Sequence, residues 1–177
     1  MVSGSHSELQ EREYPMSIAG TWWNELNSKM VLKRGRKDRR QVTGKYHTNV
    51  GNAQARVYQL VGRCDDFGGA DQLLSWVVVW DPPDPPTNPT DPPNKPSITA
   101  WAGQYHVDRQ TGIEFITTTW LLTSMTTAAD DWSSTKVSMD VFFRFPPTKK
   151  TVAMARRLGK AASHFTGPVV KPATKNR

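Results

Sequence analysis

The sequence predicts an all-β fold, an eight-stranded antiparallel up-and-down β-barrel, and three observations predict it. Eight segments rich in β-branched and aromatic residues follow one another, most alternating apolar and polar residues with a period of two. Connections carrying Gly, Asp and Asn separate most of them, which suits sequential antiparallel pairing. At 177 residues, 37% hydrophobic and 22% charged, the chain has the length and composition of one domain with a buried core. Closing eight strands removes the sheet edges and leaves an interior with room for one small ligand. A two-sheet sandwich is the competing architecture.

The elements follow in order. Residues 1–16, MVSGSHSELQEREYPM, are polar and read as a flexible N-terminal extension. They contain no apolar run of the signal-peptide kind, which fits a cytoplasmic protein or the mature form of a secreted one and leaves the compartment open. The barrel is expected over 17–146. SIAGTWWNEL (17–26) leads into SKMVLK (28–33). Asn24, Leu26 and Ser28 alternate there, so an extended strand would turn an amide, an aliphatic and a hydroxyl to one side. RGRKD makes the next turn, followed by QVTGKYHT (41–48), the NVGN turn, ARVYQLVGRC (55–64), the DDFGGAD turn and QLLSWVVVW (72–80). Residues 81–96 contain eight prolines, which cannot donate to a ladder, and read as a stiff loop between two strands. SITAWAGQYHV (97–107) and GIEFITTTWLLT (112–123) flank the DRQTG turn. SMTTAADDWSST (124–135) breaks the alternation and is expected to hold one helical turn after Thr127. KVSMDVFFRF (136–145) is the eighth strand. Residues 147–177 form a basic tail in which Val152, Ala155, Leu158, Ala162 and Phe165 recur at loosely helical spacing, enough for at most a marginal helix.

The net charge of +7 raises the question of a nucleic-acid partner, and its distribution answers it. Six basic residues lie in KRGRKDRR (33–40) and eight in residues 146–177, which leaves nine Lys and Arg against fifteen Asp and Glu elsewhere. The body is acidic, and the positive charge sits in one turn and the tail. That pattern supports solubility or weak, salt-sensitive contact with polyanions, not sequence-specific nucleic-acid recognition. No apolar stretch approaches the length of a membrane span, so no membrane partner is expected.

Catalytic equipment is sparse. The four histidines are scattered without an i,i+4 pair, so no metal site is expected, and there is no GxSxG, HExxH or Gly-rich phosphate loop. Cys64 is the single cysteine, and its neighbours Asp65 and Asp66 would raise a thiol pKa, the wrong direction for a nucleophile. An enzyme is therefore disfavoured. What stands out is seven tryptophans, with Trp22, Trp23, Trp76, Trp80 and Trp101 at strand positions. Each taken alone reads as core. Trp80 ends its strand, Trp101 begins the next and Trp120 lies near the end of a third, so all three gather at one mouth of a barrel. With polar Asn24, Ser28, Tyr46, Thr48 and Asp140 among them, they describe an apolar box with a few fixed polar groups, the usual anatomy of a ligand pocket.

These residues carry a resemblance. GTWWNELNS (20–28), TGKYHTNVGNA (43–53), LVGRC (60–64), WVVVW (76–80), WAGQY (101–105), WLLTS (120–124) and DDWSSTKVSMD (130–140) occur in the order and near the spacing of the avidin family of biotin-binding proteins. The resemblance covers residues 18–145 apart from the Pro-rich stretch. It implies a biotin-binding barrel with one site per subunit, and biotin as the ligand, so that no cofactor is expected. By motif position, Asn24, Ser28 and Tyr46 would donate to the ureido oxygen, while Thr48 and Asp140 would accept from the two ureido N–H groups. Thr99 would approach the ring sulfur, and the loop around Asn52, with Ser97, would hold the carboxylate. Trp80, Trp101 and Trp120 would wall the box, with Leu26, Val50 and Leu122 beside them. Trp132 occupies the place from which such proteins lid a neighbouring subunit's site, implying a homo-oligomer (a tetramer built as a pair of dimers, or a dimer alone) with Leu121 and Val137 at apolar contact positions. A lipocalin-like carrier is the alternative for an eight-stranded barrel, but it would have a greasier interior.

Overall fold

The computed structural model describes residues 17–50, 56–81 and 95–162, with side chains described as far as Gly159. Eight strands run β1 (Gly20–Asn24), β2 (Lys29–Arg34), β3 (Gln41–His47), β4 (Tyr58–Cys64), β5 (Leu73–Trp80), β6 (Ser97–Val107), β7 (Glu114–Ser124) and β8 (Thr135–Phe143). Each pairs antiparallel with its sequence neighbour, and β8 returns to β1, so the sheet is a closed barrel. The sandwich alternative is thereby excluded. Closure is narrow: β1 meets β8 through Trp23↔Phe143 and Asn24↔Phe142, whereas β6 and β7 pair from Ser97↔Ser124 through Val107↔Glu114.

The period-two pattern becomes an inside and an outside. Met30, Leu32, Val42, Tyr46, Leu60, Trp76, Val78 and Trp101 are buried in one cluster, while Val61, Leu73, Val79, Leu121 and Val137 stand exposed on the outer wall. Gly62 lets β4 and β5 approach closely where it pairs with Trp76. A Cβ on Gly62 would lie 1.9 Å from the Ser75 carbonyl oxygen.

One end of the barrel is plugged. Trp22 donates its indole N–H to the Ile18 carbonyl at 2.9 Å and meets Tyr105 edge-on at 5.9 Å between ring centroids. The Arg144 guanidinium lies 3.7 Å over the Trp22 ring, donates to the carbonyls of Ala19 and Ser17 and pairs with Glu114. A cation stacked on an indole and bonded to backbone carbonyls is a strong closure.

Two sequence expectations change. Asn24, Leu26 and Ser28 are not mates on one strand face, because β1 ends at Asn24 and residues 25–28 turn. The turn forms because Asn24 Oδ1 accepts the N–H groups of Leu26 (3.1 Å) and Ser28 (2.8 Å), and Asn27 adopts φ 64°, a left-handed conformation that asparagine tolerates. Asn24 and Ser28 stay buried while Leu26 is half-exposed. The tail, expected to be marginal, forms α1 (Lys149–Ala162). Thr148 starts it: its hydroxyl accepts the Thr151 N–H at 3.2 Å, and the Thr151 hydroxyl accepts the Thr148 N–H at 2.8 Å, a reciprocal cap. Ala155, with Met154 and Leu158 beside it, packs on the outward-facing Val141 and Phe143 of β8, and tertiary packing of this kind is what sustains a short helix.

The turn expected after Thr127 is a single 3₁₀ turn, Asp131–Ser133. The N-terminal extension 1–16, most of the Pro-rich segment, Asn52 and residues 163–177 lie outside the described residues. Among the described residues no helix is long and apolar enough to cross a membrane.

Candidate ligand-binding site

The site lies at the end opposite the Arg144 plug, where residues 25–28, the segment after Thr48, Asp81 and residues 125–134 connect the strands. Its floor is aromatic. Trp76 and Trp101 stack at 5.6 Å with 15° between planes, and Tyr46 stacks on Trp101 at 5.3 Å. Trp80 stands edge-on to both Tyr46 (5.5 Å) and Trp101 (6.2 Å). The register makes this box: Trp76↔Trp101 and Trp101↔Trp120 are opposed pairs on three consecutive strands. Trp120 is half-buried against the same cluster.

Polar groups are set into this apolar wall at fixed angles. Asp140 on β8 is buried, and its Oδ2 accepts the Trp101 indole N–H at 3.1 Å. Trp120 and Asn24 also bond to its carboxyl group. Burial pushes the Asp140 pKa up, and those three hydrogen bonds oppose the rise without cancelling it. The site thus holds a carboxylate that lacks a positive partner among the described residues, which is the condition under which a ligand N–H is welcomed. Tyr46 is pushed well above the usual phenol range, by burial first and by the Asp140 charge second, so its hydroxyl keeps its proton and remains a donor. It bonds to the Ser28 side chain.

Local turns aim the remaining donors. Asn24 Oδ1 is occupied by the two turn N–H groups, so its amide NH₂ is the free end, and it is the end that bonds to Asp140. Ser28 Oγ accepts the Asn49 N–H at 2.9 Å, which leaves its O–H to donate. Thr48 Oγ1 accepts the Val50 N–H at 3.2 Å and donates its own proton to the Val50 carbonyl at 3.1 Å, holding the segment after β3. Thr99 Oγ1 accepts the Trp80 indole N–H at 2.7 Å in a buried position.

The structure therefore brings Asn24, Ser28, Tyr46, Thr48, Trp80, Thr99, Trp101, Trp120 and Asp140 to one end of the barrel. Ser97 and Leu122 are half-buried at the ends of β6 and β7. Leu26 and Val50 stand on the rim, 50% and 46% exposed, outside the aromatic box. Trp132 is 81% exposed, turned away from its own barrel.

Sequence reasoning passed over three residues that shape the site. Trp76 underlies Trp101, and Thr118 donates its hydroxyl to the Asp140 carbonyl at 3.0 Å; strand parity marks both as inward. Glu25 accepts the Val141 N–H at 3.1 Å, and nothing in its local sequence signals this.

A groove of about 770 Å³, lined in part by Leu73, Ala102, Thr117, Met139 and Leu158, lies on the outer wall, away from these groups. Arg63, Asp65 and Gln104 also line it, but none of the clustered aromatic rings of the interior does, so the inner site is the candidate.

The sequence model of the Avidin family matches residues 12–145. The chain is similar to avidin of Gallus gallus, with 28% identity over 138 residues that cover 76% of this chain and 82% of the relative.

Proposed function

The chain belongs to the avidin family of biotin-binding proteins, and from that premise we propose that each chain captures one biotin, non-covalently and without turning it over, in the open end of its barrel. The observation that carries this reading is the buried Asp140 carboxylate, hydrogen-bonded to Trp101 and Asn24, set with Tyr46 and Ser28 in an aromatic box. A cyclic urea has one strong acceptor and two donors. Asn24, Ser28 and Tyr46 offer donors to its oxygen, and Asp140 and Thr48 offer acceptors to its two N–H groups. Drawing density from the N–H side and stabilising it at the oxygen polarises the urea in one direction, so the bonds reinforce one another.

Trp80, Trp101 and Trp120 wall the bicyclic ring, Thr99 meets the sulfur, and Ser97 with Asn52 holds the carboxylate. Leu122 packs inside, while Leu26 and Val50 close over the rim when ligand is present. Exposed Trp132, with Leu121 and Val137 on the outer wall, supports a homo-oligomer, a tetramer or a dimer, in which Trp132 lids the neighbour's site. Isothermal calorimetry tests the capture: saturable binding at one biotin per chain is expected, and no heat at micromolar biotin would refute it. Native mass with and without biotin reads the subunit count alongside.

A further inference from the structure

We propose that Glu25 is a positioning residue for Asp140: its side chain completes the barrel seam that the turn after β1 leaves open, and so fixes the peptide that carries the ligand-facing carboxylate. The proposal rests on the biotin-binding reading of this site.

The register shows the gap. Trp23 pairs with Phe143 and Asn24 with Phe142, so the next residue along β1, Glu25, falls opposite Val141. The backbone does not continue that ladder, because the chain turns at residues 25–28, closed by the Asn24 N–H on the Ser28 carbonyl and the Asn27 N–H on the Asn24 carbonyl, both at 3.0 Å. Val141 N–H would lose its partner there. The Glu25 carboxylate takes it instead, Oε2 accepting at 3.1 Å across 116 residues of sequence.

That N–H belongs to the peptide unit joining Asp140 to Val141. The other end of the same unit, the Asp140 carbonyl, accepts the Thr118 hydroxyl at 3.0 Å. One peptide is thus gripped at both ends by side chains, with the Asp140 carboxyl projecting from it into the box. Rotation of this peptide would swing Oδ2 away from the Trp101 indole. A site that needs sub-ångström placement of a carboxylate is helped by such a grip.

The grip has an electrostatic cost that a purely structural contact would avoid. Glu25 is half-buried and joins none of the ion pairs among the described residues. Its pKa is raised, by burial first and by the Asp140 charge second, while its bond from Val141 pulls the other way. The titratable groups facing it are Asp140 on β8 and Tyr46 on β3, whose own rise includes a contribution from Glu25.

The experiment is a double-mutant cycle on biotin release, with a parallel reading in the free protein. Glu25→Ala is expected to speed release about tenfold or more, and Glu25→Gln, which keeps an acceptor for Val141 N–H, to restore most of that loss. In an Asp140→Ala background, Glu25→Ala is expected to add less than about a twofold change, because its effect passes through Asp140. Additive effects, or no rescue by glutamine, would overturn the proposal. In the ligand-free protein, Glu25→Ala should accelerate amide exchange at Val141, and Asp140→Asn should lower the Glu25 titration. If wild type binds no biotin, the functional reading fails on its own, and an unchanged Val141 amide in Glu25→Ala would separately sink the seam.

Discussion

The Trp101 indole N–H donates to Asp140 Oδ2 at 3.1 Å, joining β6 to β8 over the strand between them. The bond ties the aromatic floor of the site to its one inner carboxylate, so shape and charge are set together. It also accounts for how a carboxylate survives in a box of indoles: hydrogen bonds from Trp101, Trp120 and Asn24 stand in for water.

Asp140 is therefore expected to trade stability for binding. Its folded pKa is raised by burial above the unfolded value, so its favourable contribution is complete below the unfolded pKa and is lost as pH rises through the folded one. At neutral pH the ligand-free barrel bears that cost. Asp140→Asn should raise the thermal midpoint of the free protein at pH 7 and flatten its rise towards acid, leaving a residual slope from Glu25, which shifts in the same direction. Biotin affinity should fall by about 1.5–3 kcal/mol, roughly 10- to 150-fold, the worth of a charged hydrogen bond. Differential scanning calorimetry across pH, paired with a biotin titration, checks both. A variant that melts lower at pH 7 than wild type would contradict the assignment.

Trp132 is 81% exposed in a single 3₁₀ turn, so its own barrel has little to lose. Trp132→Ala should leave chemical unfolding of the isolated subunit within about 0.5 kcal/mol of native. Biotin release should quicken at least tenfold, and the oligomer should shrink, since an aromatic anchor at an interface typically contributes about 2 kcal/mol or more. Native release and native elution volume together would rule out the lid.

Deleting residues 149–177 should leave the biotin affinity in place, because α1 packs on Val141 and Phe143 of the outer face of β8. Stability should drop by about 3 kcal/mol, the order expected from exposing Val141 and Phe143. Urea unfolding read beside biotin binding separates the two effects; equal loss of both would mean the helix supports the site.

Two glycines should respond in opposite directions. Gly62→Ala forces a Cβ to within 1.9 Å of a neighbouring strand carbonyl and should cost about 3 kcal/mol. Gly159→Ala, in α1 with nothing within 4 Å, should gain about 0.5–1 kcal/mol from helix propensity. Midpoints of denaturant unfolding for the pair decide the matter.

Much of the barrel was legible because its information is local. Stretches such as QLLSWVVVW and SITAWAGQYHV are dense in β-branched and aromatic residues, and their observed strands, Leu73–Trp80 and Ser97–Val107, nearly coincide with them. Parity likewise brings Trp80, Trp101 and Trp120 to one mouth, while the roles of Asn24, Ser28, Tyr46, Thr48 and Asp140 came from the ordered motifs. What escaped the sequence is non-local. The turn after Asn24 depends on one side chain capturing two N–H groups, which alternation cannot reveal. The stretch VFFRF reads as an ordinary strand end, yet Val141 and Phe143 face outward and are covered by a helix whose partner surface periodicity does not specify. Glu25 meets Val141 only because the barrel closes.

If biotin binds in the open end of the barrel, as proposed, the plug of Trp22, Tyr105 and Arg144 makes its site a blind well. A ligand that enters through the mouth has to leave by the same route, so both crossings share one transition state. An obstacle at the rim that never touches the bound ligand slows arrival and departure by the same factor and leaves the equilibrium untouched. Affinity is then written into the walls and floor, and tempo into the doorway, so selection can adjust the second without disturbing the first.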